Sequence, residues 1–175
     1  NKSVTNPEVP DPSSSPGRYW DKINNVGLRS NYVASIHALR LMIPRGSGLV
    51  INISSFGGTV SIFDPVYGAG KCANDRMVSE IAKSLVDPID TGVRMLTLYL
   101  GIVSTEIIVK AFESSSATSR PGVGPSIDAS TGALQDLMWN AESPVYIGRV
   151  IAAIAADSKT TTLTRRNGKI VIAAE

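Results

Sequence analysis

Three short pieces of the sequence hold side chains that could move a proton between them. Asn52-Ile53-Ser54-Ser55-Phe56-Gly57-Gly58 sets two hydroxyls before a glycine turn, and Tyr67-Gly68-Ala69-Gly70-Lys71 sets a phenol and an ammonium four residues apart. Gly101-Ile102-Val103-Ser104-Thr105 comes third. A tyrosine phenol in water ionises at about pH 10, too high for ready proton exchange at neutrality. An ammonium held nearby favours the phenolate, and helical residues four apart share a face. The first turn of a helix also favours negative charge. A hydroxyl at Ser55 could donate to a carbonyl or alkoxide oxygen as charge develops there. Singly, each piece is unspecific, since a Tyr and a Lys four apart are ordinarily part of surface and core. Their order on successive elements makes them a candidate site.

The elements that must position these residues can be read from periodicity. Residues 1–15, rich in Pro, Ser and Asn, read as a loop. Ser15-Pro16 then opens a helix, a polar cap followed by Pro at the first helical position. Its apolar residues recur at helical spacing to about Ile43, with a bend or close contact expected at Gly27. Leu49-Val50-Ile51-Asn52-Ile53 reads as a buried strand. Asp64-Pro65 caps a second helix, which runs through Val66, Ala69, Ala73, Met77, Val78, Ile81 and Ala82 to Leu85. Val93 to Leu100 reads as another strand, Thr105-Glu106 as the start of a short helix, and 114–126 as a mobile stretch. Ala133 to Trp139 reads as a helix, Ser143-Pro144 caps one more to about Ala156, and Lys169 to Ile172 closes with a strand. Strands alternating with helices predict an open α/β sheet with parallel strands and right-handed crossovers. Residues 1–175 are expected to form one domain. Ser55 would then lie at the carboxyl edge of the sheet, where such folds place their ligands.

Composition removes several function classes. The charge is +2 with both signs interspersed, and no basic arm or stripe points to nucleic acid. No apolar run approaches the ~20 residues of a membrane-spanning helix. One cysteine, Cys72, excludes an intrachain disulfide and multi-cysteine metal sites and suits a reducing compartment. Cys72 itself reads as a small residue on the core side of its helix. His37 is also alone, so no metal site is expected. Gly68-Ala69-Gly70-Lys71-Cys72 is not a phosphate-binding P-loop, because it lies inside a helix and Cys72 stands where a hydroxyl is needed.

From Trp20 to Thr105 the chain resembles the short-chain dehydrogenase/reductase family, and within it the dehydrogenase/reductase member-one subgroup. Asn24-Asn25-Val26-Gly27-Leu28-Arg29, Ser54-Ser55 and the Tyr67-to-Lys71 motif carry the resemblance. Weaker similarity continues through Ser143-Pro144 and Ile147-Gly148-Arg149 to Gly168-Lys169. The resemblance implies a Rossmann-like, three-layer α/β/α fold and an oxidoreductase that interconverts a small carbonyl compound and an alcohol with NAD or NADP. Tyr67 would be the acid/base, Ser55 the clamp on the substrate oxygen, and Lys71 the holder of the nicotinamide ribose as well as the tuner of Tyr67. Thr105 and the backbone of Gly101, Ile102 and Val103 would meet the carboxamide end of the nicotinamide. A homo-oligomer paired through the two long helices is also implied. The default compartment is the cytoplasm, with attachment to an organelle membrane through other segments as the alternative.

Three departures from the family pattern stand out. The family's relay Asn is matched by Gly27, a change the subgroup shares. The usual Pro-Gly is Leu100-Gly101, which loosens the turn next to the nicotinamide. The glycine-rich phosphate loop and its strand have no counterpart, so the chain reads as the C-terminal portion of the fold, without its N-terminal strands, and is expected to bind a dinucleotide poorly. Two other readings use the same residues: a catalytically silent partner that keeps the pairing helices, and a Ser55–Lys71 hydrolase with Tyr67 as helper.

Overall fold

The computed structural model describes residues 15–60, 64–106, 108–110, 140–157 and 160–173. Helix α1 (Pro16–Asn24) starts at Ser15, whose hydroxyl accepts from the Arg18 N–H. A π-helical segment, Asn25–Arg29, joins it to α2 (Ser30–Met42). The expected irregularity at Gly27 is therefore a widened turn. The close contact is absent, because no atom lies within 4 Å of where a Gly27 Cβ would stand. Strand β1 (Gly48–Ser54) is followed by a 3₁₀ turn (Phe56–Gly58) and α3 (Pro65–Ser84). Strand β2 (Val93–Tyr99), α4 (Pro144–Ala156), α5 (Thr160–Arg166) and β3 (Ile170–Ile172) complete the order.

The three strands form a parallel sheet in the order β1-β2-β3. Along β2 every residue is buried, and its side chains alternate between two cores. Val93 and Met95 pack with Leu39 of α2 and with Val78 and Ala82 of α3. Leu96 and Leu98 pack with Ile147 and Ile154 of α4. The sheet is thus the middle of three layers, as the family resemblance implies. Each large β2 side chain buried this way stabilises the fold by roughly 1.5–3 kcal/mol.

Two findings correct the reading of single residues. The buried row of α3 is Gly70, Asn74, Val78 and Ala82, whereas Ala69 and Ala73 are exposed. Two residues past Gly70, Cys72 faces away from that row and is exposed instead of core-facing. Helix α5 was not anticipated, since Thr160-Thr161-Thr162 is β-branched and a poor helix former. It is tied to the sheet by the buried Arg94, which donates to Thr164 and, through both amino groups at 2.7 Å, to the Asp90 carboxylate. The expected helix 133–139 and the stretch 114–126 lie outside the described residues.

Candidate active site

The parallel register aligns the carboxyl ends of β1 and β2, with Ser54 opposite Tyr99. The chain leaves that edge through Ser55 on one strand and through Leu100 and Gly101 on the other. Helix α3 returns against the sheet with its first turn at the same edge. Asp64 caps it, its Oδ1 accepting from the N–H groups of Val66 (2.6 Å) and Tyr67 (3.3 Å). The Tyr19 hydroxyl of α1 donates to the other Asp64 oxygen. Burial, reinforced by that carboxylate, pushes the Tyr19 phenol up to about 12, so it stays a donor at any physiological pH. The cap that sets Tyr67 in place is therefore itself held from a second helix.

Tyr67 and Lys71 do share a face, with the Lys71 Nζ 5.5 Å from the centroid of the Tyr67 ring, a cation–π contact. The ammonium also donates to the Ile53 carbonyl at 3.4 Å, which ties α3 to the end of β1. Lys71 is half-buried, and desolvation moves its pKa below the usual lysine value against an opposing pull from the Asp75 carboxylate.

Ser55 reaches this place through the glycine turn behind it. A Cβ on Gly58 would stand 2.8 Å from the Cys72 nitrogen and 3.0 Å from the Lys71 carbonyl carbon. One on Gly68 would stand 3.1 Å from the Gly57 oxygen. Only glycine lets the 3₁₀ turn lie directly on the backbone of α3. The Ser55 Oγ accepts from the Gly57 N–H at 3.2 Å, so this contact uses its lone pair and leaves its proton to donate elsewhere.

The third piece leaves β2 as an extended stretch stitched to Glu142. The Glu142 N–H donates to the Ile102 carbonyl at 2.7 Å, and the Ser104 N–H donates back to the Glu142 carbonyl at 2.9 Å. Val103 forms an isolated parallel bridge with the same residue. Thr105 is exposed at the head of the short helical turn containing Glu106, and its hydroxyl meets the Ile108 N–H at 3.5 Å.

Several members of this neighbourhood escaped the sequence reading. Asn24, 5% exposed, donates to the Val66 carbonyl at 3.3 Å and sets its Oδ1 against Gly70, between Tyr67 and Lys71. Asn31 donates to the Gly27 carbonyl at 2.9 Å and to the Asn74 Oδ1 at 3.3 Å. Asp75 accepts from the Tyr99 hydroxyl at 2.5 Å. Polar residues at buried positions of an apolar pattern were the one available signal. His37 is exposed on α2, away from all of these.

A parallel sheet flanked by helices, with a tyrosine–lysine pair on the helix after one strand and a serine at that strand's end, defines a Rossmann-like α/β protein with a candidate acid/base site. The chain belongs to the short chain dehydrogenase family, whose model matches residues 5–116. "Dehydrogenase/reductase SDR family member 1" of Mus musculus is 36% identical over 156 residues, covering 89% of this chain and 45% of that protein. Its Homo sapiens counterpart is 32% identical over the same shares. The chain therefore spans about half the length of the curated relatives it matches. The fold is shared with the solved structure of ElxO with NADP bound, at a TM-score of 0.70 and 18% identity over 92% of this chain and 58% of that one.

Among the described residues no helix is long and apolar enough to cross a membrane.

Proposed function

We propose that this chain carries the proton-transferring part of an oxidoreductase that interconverts a carbonyl and an alcohol with NAD or NADP. The observation that carries the reading is the Lys71 ammonium seated over the Tyr67 ring, with the Ser55 turn packed on the same stretch of α3. Family membership and the NADP-bound structural neighbour support it.

The residues at hand suit the nicotinamide end of such a cofactor. An ammonium has three donors, and Lys71 spends one on Ile53, which leaves two for ribose hydroxyls. The exposed Thr105 hydroxyl and the backbone of Gly101, Ile102 and Val103 lie at the adjoining strand end for the carboxamide. When bound, the nicotinamide supplies or accepts the hydride. The protein does the rest. Ser55 donates to the substrate oxygen and fixes it, and Tyr67 gives its phenolic proton to that oxygen in reduction or takes it in oxidation. Lys71 stabilises the phenolate left behind.

The test is a direct comparison in the full-length protein. Reduction of small ketones with NADH or NADPH is expected at a rate well above that of ester hydrolysis. Ester turnover without ketone reduction would move the assignment to the Ser55–Lys71 hydrolase.

A pairing role has its own support. Trp20 of α1, Leu28 of the π segment, Tyr32 of α2 and Met77 of α3 line one groove, with Trp20 46% and Tyr32 51% exposed. We propose that a second copy covers this face. Sedimentation should give a dimer that Trp20→Glu with Tyr32→Glu converts to monomer, and a concentration-independent monomer before substitution would reject the pairing.

A further inference from the structure

On the side of Lys71 away from Tyr67 lies a second phenol and a carboxylate that the proposed chemistry does not use. Asp75 follows Lys71 by one helical turn on α3, and Tyr99 ends β2 beneath it, 4% exposed. The Tyr99 hydroxyl donates to Asp75 Oδ2 at 2.5 Å, while Asp75 Oδ1 is buried without a hydrogen-bond partner. A buried carboxylate with one oxygen unsatisfied is costly to keep, and a nearby cation is what offsets that cost. We propose that Asp75, clamped by Tyr99, is the electrostatic partner of Lys71: one helical turn along α3 and without a direct ion pair to it, the carboxylate supplies a fixed negative charge beside the half-buried ammonium. This rests on the reading of Tyr67 and Lys71 as the proton-transfer pair.

The three α3 side chains stand at successive turns, so phenol, cation and anion alternate along one face of the helix. Desolvation lowers the Lys71 pKa and Asp75 opposes it, so Asp75 helps keep the lysine charged in its partly dry surroundings. Burial, reinforced by Asp75, pushes the Tyr99 phenol well above the usual tyrosine value, which makes it a permanent donor to the clamp. The groups facing Lys71 can be named element by element. On α3 they are Tyr67 and Asp75, with the exposed Cys72 next in sequence; on β2 there is Tyr99. Strand β1 and the 3₁₀ turn bring no ionisable side chain. The Tyr19–Asp64 pair of α1 and the α3 cap is committed to the helix start.

The test needs neither cofactor nor turnover. The ¹³Cε resonance of Lys71 is followed through a pH titration in the chain and in its variants, with circular dichroism as the check on folding. Asp75→Asn, nearly isosteric, is expected to lower the Lys71 midpoint by at least roughly half a pH unit, about threefold in the dissociation constant. Tyr99→Phe should move it less and in the same direction, because the carboxylate loses its anchor and not its charge. Asp21→Asn, an exposed carboxylate of α1, should leave it unchanged. A folded Asp75→Asn chain with an unmoved midpoint overturns the proposal; should that variant fail to fold, an unmoved midpoint in Tyr99→Phe does so. An inactive full-length protein with the expected Lys71 shifts would reject the enzymatic reading and leave the clamp standing.

Discussion

Tyr67→Phe in the full-length protein is expected to lower kcat by roughly 10²–10⁴-fold, the worth of one positioned acid or base. The loss should appear equally in kcat and kcat/KM, because the phenolic oxygen acts on the substrate in the transition state and contributes little to holding it beforehand. Cofactor affinity should change little, since phenylalanine keeps the ring on which the Lys71 ammonium sits. Lys71→Ala differs in kind: it removes both the cation over the ring and the donors for the ribose, so kcat falls and the cofactor Kd rises together. Fluorescence titration of NADH or NADPH beside steady-state rates separates the two patterns. Retained turnover in Tyr67→Phe would refute the assignment.

Gly70→Ala is expected to destabilise the fold more than any other single methyl added to α3. The new Cβ would stand 2.0 Å from the Asn24 Oδ1, well inside contact distance, and Asn24 is 5% exposed and tied to α3 by its bond to the Val66 carbonyl. Overpacking of this kind costs roughly 1–3 kcal/mol, and the displaced helix carries Tyr67 and Lys71 with it. Asn24→Ala alone should cost about 1 kcal/mol, because it gives up the bond to the Val66 carbonyl but also removes a buried oxygen that has no partner. Combined, the two substitutions should be less destabilising than Gly70→Ala alone. Urea unfolding of the four chains measures that coupling directly. Plain additivity would show that the two residues do not press on each other.

The contrast between these experiments marks what the sequence made legible. The strands, the two capped helices after Ser15 and Asp64, and the shared face of Tyr67 and Lys71 all follow from local signals, namely apolar runs, Asp-Pro and Ser-Pro caps and i,i+4 spacing. Those signals act over a few residues, and the structure agrees with them at each of these places. What joins elements far apart in sequence was not legible. The buried row of α3 is made of Gly70 and Asn74 as much as of Val78 and Ala82, so hydrophobicity alone pointed to Ala69 and Ala73. Asn24 looks like a surface amide until Gly70 is seen to make room for it. Asp75 looks like a solvated helix charge until Tyr99 is found underneath. Helix α5 is held by Arg94 and by packing against the sheet, and its threonines give no hint of it.

Strand β1 ends the sheet, and among the described residues nothing pairs with its outer side. Gly48–Ser54 carries neither proline nor a charged side chain, the two commonest guards against edge-to-edge self-association. An edge left open in this way would make the chain a template for stacking copies strand upon strand. Dilute handling, or a companion segment laid along Gly48–Ser54, would be what keeps it dispersed.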